Sequence, residues 1–130
     1  MALKRNSKSL SKLKKELDAV FSKYIRQKYS DHTGAVSCYT CSVTKPLKEM
    51  QNGHWIPRNI LNTRFDEDNC RPQCTGCNMF NKGRPDVFAV NLLNEGIDIK
   101  ALSSKRHRIL KLDRVWYEKK IIHYKKLIHE

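Results

Sequence analysis

Two pairs of cysteines, Cys38-Tyr39-Thr40-Cys41 and Cys74-Thr75-Gly76-Cys77, are the residues of this chain best spaced to do chemistry. Two residues between thiols let a tight turn aim both sulfurs at one tetrahedral ion, at Zn–S distances of about 2.3 Å. Four thiolates leave no open coordination position, so the ion they specify is a structural Zn²⁺ that staples and does not catalyse. Its binding energy adds directly to folding. A redox reading expects one such pair beside a βαβ unit, and the chain has two pairs and no such pattern. The fifth thiol, Cys70, reads as a small buried hydrophobe rather than a further ligand. The 32 residues between Cys41 and Cys74 exceed the usual insert of a zinc ribbon, so a functional site is expected inside that loop.

The loop and its exit carry the run Asn52-Gly53-His54-Trp55-Ile56-Pro57-Arg58, then Arg64-Phe65-Asp66-Glu67-Asp68-Asn69, then Gln73-Cys74-Thr75-Gly76-Cys77-Asn78. His54, Asn69 and Asn78 stand at the three positions of an HNH motif, in which Asn is a common last residue. The flanking cysteine pairs are similar to those of zinc-containing HNH nucleases, and the whole run resembles the phage Rap (NinG) recombination endonucleases. Phage endonuclease VII, which resolves DNA junctions, also has Asn directly after its second Cys-x-x-Cys. The resemblance spans Cys38 to Leu93, is looser in the C-terminal helix, and does not inform the N-terminal one. It implies a ββα-metal core, metal-dependent cleavage of DNA, and branched substrates such as four-way junctions or displacement loops.

Phosphodiester hydrolysis needs a base to activate water, a cation to neutralise developing charge, and help for the leaving oxygen. The motif assigns His54 the part of general base, which suits an imidazole because its ordinary pKa lies near neutrality. Asn78 is expected to offer its amide oxygen to Mg²⁺ or Mn²⁺, with water and phosphate completing the octahedron. Asn69 is expected to tie the loop so that His54 is held in place. Arg58 can grip the scissile phosphate with its planar fork. Many HNH nucleases, endonuclease VII among them, carry an Asp just before the His as a second metal ligand. Here that position is Gly53, as in the Rap-like family. The cation then rests on Asn78 alone or borrows Asp66, Glu67, Asn81 or His54 itself. Trp55 reads as a core anchor of the hairpin, and Asp66, Glu67 and Asp68 also suit caps or turns.

These side chains need scaffolding, and the rest of the chain supplies candidates. Leu10, Leu13, Leu17, Val20 or Phe21, and Tyr24 recur at helical spacing among lysines, predicting a basic amphipathic helix that ends before Asp31-His32-Thr33-Gly34. From Cys38 to Gly83 helical periodicity is absent, and prolines and glycines break the region into short strands and loops. Pro85 opens a second helix that runs to Gly96. A third spans about Leu112 to Ile128, with a stripe of Tyr117, Ile121, Tyr124 and Ile128 and a second flank of Val115 and Ile122. Two apolar flanks suggest more than one neighbour, including a second copy of the chain in a homodimer.

Composition sets the class of partner. Lys and Arg number 26 against 13 acidic residues, a formal net charge of +13 that attracts polyanions and makes binding salt-sensitive. Beyond Arg58, the DNA-binding candidates are Arg64, Lys82, Arg84, Lys105, Arg106 and Arg108, with Lys111 and Arg114 continuing the last run. No segment approaches the ~20 apolar residues of a membrane span, and no apolar run follows the basic N-terminus as in a signal peptide. A cytoplasmic protein, in the bacterial host of a phage, is expected. The apolar fraction is 39%, so the core is modest and benefits from a metal. The fold expected is α+β and one domain over residues 1–130: a basic helix over 1–34, a zinc-bound core over 35–84, and two C-terminal helices over 85–130. Two other readings compete. A non-catalytic zinc module binding DNA, RNA or protein has no use for His54 with Asn69 and Asn78. A sequence-specific homing or restriction nuclease shares the site but cuts linear duplex.

Overall fold

The structure is a computed structural model and describes residues 8–129. Helix α1 (Leu10–Lys28) starts where Ser9 accepts the Lys12 N–H at 3.1 Å, satisfying one of the open donors of a helix N-terminus. Arg26 and Lys28 in its last turn complement the helix dipole. Its buried stripe is Leu13, Leu17, Val20, Phe21 and Ile25, while Leu10 is exposed and Tyr24 half-buried. Full burial of a side chain such as Leu17 or Ile25 contributes about 1.5–3 kcal/mol.

Strands β1 (Ala35–Ser37) and β2 (Thr44–Pro46) form an antiparallel hairpin whose tip carries Cys38 and Cys41. A turn closes that tip: Cys38 N–H donates to Val43 and Ser42 N–H to Cys38, with Ser42 at φ +69°. Strands β3 (Gln51–His54) and β4 (Cys70–Gln73) pair antiparallel, placing His54 opposite Cys70 and Gly53 opposite Arg71. Their connection holds a short helix, α2 (Leu61–Arg64), and a 3₁₀ turn over Glu67–Asn69. After β4, a π-helical turn over Gly76–Phe80 bears Cys77 and Asn78. Lys82, Gly83 and Arg84 then follow at φ +55°, +81° and +46°, three consecutive left-handed residues that reverse the chain into helix α3 (Pro85–Asn94). Pro85 stands at the first helical position, as expected.

Two C-terminal helices were expected and the described residues contain three. Between α3 and the last helix lies α4 (Ile99–Ser104), started by Asp98, whose side chain accepts the Ala101 N–H. Six residues are too few to display a helical period, and the cap was the signal available in the sequence. Helix α5 (Arg114–Leu127) is capped likewise by Asp113.

Three apolar clusters organise these elements. The largest joins α1 to α5 through Phe21, Tyr117, Ile121 and Tyr124, and takes in Phe65 and Cys70. Phe21 meets Tyr124 edge-on at 5.0 Å, and Lys125 reaches Glu16 at 3.0 Å. A second cluster surrounds the cysteines, and a third packs Ile56 against Phe88, Leu92 and Leu102. The other flank of α5, with Val115 and Ile122, is exposed. No helix of the described residues is long and apolar enough to cross a membrane.

Candidate functional site

The four paired cysteines converge. Their sulfurs lie within 4.8 Å of one another, and Cys41 Sγ is 3.7 Å from Cys74 Sγ. A tetrahedral Zn²⁺ with bonds of about 2.3 Å has sulfur–sulfur edges of about 3.8 Å, so the cluster fits zinc. Burial opposes ionisation of Cys38, but main-chain N–H groups of Cys74, Thr40 and Cys41 outweigh it and bring the thiol down to about 6. The Cys77 N–H likewise points at Cys74 Sγ, 3.4 Å away. Cys70 stands apart, fully buried in the α1–α5 cluster, where desolvation raises its pKa and keeps it a neutral thiol.

Beside the cysteines, β3, the π-helical turn and α1 enclose an open cleft of about 850 Å³. His54, Asn78, Arg58 and Lys82 all line it, so four residues singled out in the sequence meet in one place. His54 ends β3, and its ring is oriented by α2. A helix leaves its last carbonyls without intrahelical partners, and the Arg64 carbonyl at the end of α2 lies 2.8 Å from His54 Nε2. A carbonyl can only accept, so Nε2 carries the proton and Nδ1 of the neutral ring is the basic nitrogen. Burial pushes the His54 pKa below its ordinary value, with help from the positive Arg58 and Arg64. The Arg64 carbonyl and the Asp18 carboxylate pull the other way.

Asn78 donates from Nδ2 to Gln51 Oε1 at 2.7 Å, which leaves the other end of its amide, Oδ1, available as a hard oxygen donor. Asn69 does not touch the cleft. It is fully buried and binds three main-chain groups: Oδ1 accepts the Ile56 N–H at 2.7 Å, and Nδ2 donates to the carbonyls of Ile56 and Thr63, both at 3.1 Å. It clamps the chain leaving His54 to α2.

Asp18 of α1 enters the cleft wall although no motif pointed to it. It accepts from Arg64 Nε at 2.9 Å and Nη2 at 2.5 Å, and from Arg58 Nη2 at 3.0 Å. Burial favours its neutral form, but the two arginines outweigh that and hold its carboxyl below the usual range. The signal was a stripe of polar residues at helical spacing, Lys15, Asp18 and Ser22, each of which lines the cleft together with the small Ala19. Arg64, expected as a phosphate contact, differs from Arg58 in its surroundings. Its side chain is only 13% exposed and locked to Asp18, whereas Arg58 is 61% exposed and held by one bond.

The other expected contacts lie away from this wall. Lys105 pairs with Asp66 at 2.7 Å, and Arg106 and Arg108 are exposed beyond it on a segment whose carbonyls bind Asn62. Arg84 is half-buried and does not line the cleft. Neither Asp66, Glu67 nor Asn81 lines it either. Asp66 also caps the 3₁₀ turn through Asp68 N–H, and Glu67 accepts from Tyr24, Tyr124 and Lys28. Trp55 serves twice, packing on the third cluster and lining the cleft.

Gly53 is explained by its neighbour. A Cβ there would lie 2.0 Å from Gln73 Oε1. Gln73 is itself fully buried and donates to Thr40 Oγ1 at 3.0 Å and to the Gly83 carbonyl at 2.8 Å. The volume in which a residue-53 carboxylate would start is filled by an amide that ties Thr40 of the first cysteine turn, and Gly83 beyond the second, to β4.

Fold and site together define a small α+β protein in which a four-thiol cluster that could hold zinc braces a cleft lined by histidine, asparagine and basic side chains. The family described as bacteriophage lambda NinG protein matches residues 2–130, and the chain belongs to it. No curated protein and no solved structure matches the chain.

Proposed function

We propose that this protein is a metal-dependent DNA endonuclease of the HNH type that acts in phage recombination on branched intermediates. The observation that carries the reading is the His54 tautomer: Nε2–H is engaged by the Arg64 carbonyl, and Nδ1 is left as a base in a cleft shared with Asn78 and Arg58. In this reading Nδ1 takes the proton of the attacking water, and Asn69 keeps the ring in register. Arg58 exchanges Asp18 for a substrate phosphate, which its exposure permits. Asn78 Oδ1 would hold Mg²⁺ or Mn²⁺, which when bound stabilises charge on the phosphoryl oxygens. The four cysteines brace the scaffold and take no part in the chemistry.

One observation favours a second reading. Among the described residues Asp18 is the single carboxylate lining the cleft, and it is engaged by two arginines. A site so poor in free anionic ligands also suits a zinc-stapled module that binds DNA without cutting it. Purified protein incubated with a labelled four-way junction, matched duplex and single strand separates the two. Nuclease action predicts junction cutting that needs Mg²⁺ and is lost with EDTA or in His54→Ala. Salt-sensitive binding with no cutting under any divalent metal would establish the binding module instead.

A further inference from the structure

The turn that carries Asn78 also carries two exposed apolar side chains, Met79 at 62% and Phe80 at 79% exposure. Single exposed apolar residues are ordinary, but the main chain that bears these two is fastened on both sides. Asn81 N–H bonds Gly76 O and Gly83 N–H bonds Cys77 O, at 2.9 and 2.8 Å. Gln73 fastens the Gly83 carbonyl, and Gln51 reaches Met79 Sδ at 3.4 Å. The turn begins at the four-thiol cluster, so the ring is carried on a stretch of main chain anchored at its start by Cys77 and at its end by Gly83. Met79 lines the cleft beside Asn78 and His54, and exposed Lys82 follows on the same rim. From Cys77 to Pro85 there is no acidic residue.

An exposed apolar ring two residues before an exposed lysine, on a turn whose Asn78 and Met79 line the cleft, is complementary to one kind of polyanion, a chain that pairs negative phosphates with apolar faces. Nucleic acid is that chain. In an intact duplex the base faces are covered by their neighbours, and only edges reach the grooves. A ring that wants a face needs a base whose stacking partner is missing. We propose that Phe80, supported by Met79, is a stacking wedge for a nucleobase exposed at a break in the DNA stack, and that it gives the protein its preference for discontinuous DNA. The proposal rests on the nucleic-acid-binding part of the functional reading and does not require cleavage.

The test is equilibrium binding in EDTA, so that no cutting occurs. The probes are an intact duplex and the same duplex with a one-nucleotide gap, each bearing 2-aminopurine at the gap-edge position. Wild type is expected to favour the gapped probe by about tenfold and to change its 2-aminopurine emission. Phe80→Ala is expected to lose that advantage and the emission change while keeping its affinity for intact duplex, and Phe80→Trp to restore both. Zinc content and circular dichroism confirm that the variants are folded. A gapped-to-intact ratio unchanged in Phe80→Ala, including where both affinities fall by the same factor, overturns the wedge. Binding of neither probe by wild type at low salt overturns the nucleic-acid reading beneath it. Phe80-dependent binding to anionic lipid vesicles, with the DNA ratio unchanged, assigns the ring to a membrane surface and also overturns the wedge.

Discussion

His54 Nε2 lies 2.8 Å from the main-chain carbonyl of Arg64, while the side chain of that same Arg64 grips Asp18 on a different helix. One residue thus sets the tautomer of the proposed base through its backbone and ties down the opposite wall of the cleft through its guanidinium. Because the backbone contact survives any substitution that preserves α2, the two tasks can be tested separately.

Cleavage should rise with pH and level off. A general base acts unprotonated, so the rate climbs as pH passes upward through the His54 pKa, which burial holds below the ordinary imidazole value of about 6.5. Asp18→Asn removes the carboxylate that raises that pKa and leaves two arginine charges that lower it, so the midpoint should move further down. Initial rates against pH at constant ionic strength measure both, and a wild-type midpoint above 6.5 would contradict the assignment. His54→Ala should lose at least about a hundredfold in rate.

Asn78→Ala should abolish cleavage at ordinary Mg²⁺ concentrations, whereas Asn78→Asp should retain or tighten cation binding. The wild-type amide already has its nitrogen committed to Gln51, and a carboxylate offers the cation a stronger hard donor. Mg²⁺ titrations of the cleavage rate give the apparent affinities. Full activity of Asn78→Ala would remove it from the list of ligands.

Asn69→Ala should destabilise the protein by about 3 kcal/mol, because three buried main-chain groups lose their partner together. Asn69→Asp should do little better, since a carboxylate cannot donate to the carbonyls of Ile56 and Thr63. Urea unfolding with unchanged m-value reads the loss. A cost below about 0.5 kcal/mol would mean that the clamp is dispensable.

These residues also show how far the sequence could be read. Cys-x-x-Cys spacing was sufficient for the thiol cluster because two residues between ligands constrain geometry locally. Helices α1, α3 and α5 were legible from periodicity and from Pro85. Asp18 and Gln73 were not, for a shared physical reason: each acts across a tertiary contact with a residue far along the chain, Arg64 and Thr40 respectively. Arg64 looked like another surface cation, since a sequence does not display which arginine meets a carboxylate from a distant helix. Asn69 was expected to tie the loop that holds His54; its three partners, all main-chain groups, could not be named from the sequence.

Zinc content should follow the four clustered thiols and ignore the fifth. Metal analysis is expected to give one Zn²⁺ per chain, retained in Cys70→Ala and lost in Cys41→Ser or Cys77→Ser. Chelation should loosen both cysteine turns and the β3–β4 pair that Gln73 ties to them, visible as lost amide protection over residues 38–41 and 70–83. Zinc loss in Cys70→Ala, with the fold intact, would make that thiol part of the site.

Gly53→Ala should be costly in wild type and less so once Gln73 is shortened. The new methyl collides with Gln73 Oε1, so the double variant Gly53→Ala/Gln73→Ala should be more stable than the sum of the two single losses, by about 1 kcal/mol or more. Strict additivity in the cycle would show that the two residues do not compete for space.

The packing of α1 on α5 gives assembly of the cleft an order in time. Of the described elements, α1 is the first to leave the ribosome and α5 the last, and the cleft wall of Lys15, Asp18 and Ser22 belongs to α1 while the face of α1 behind it is sealed by Tyr117, Ile121 and Tyr124. A nascent chain can close its cysteine turns and pair β3 with β4 while that wall is still unsupported. The cleft is completed only when synthesis has passed through α5, so a chain stalled short of that helix carries His54 and Asn78 without the surface that opposes them.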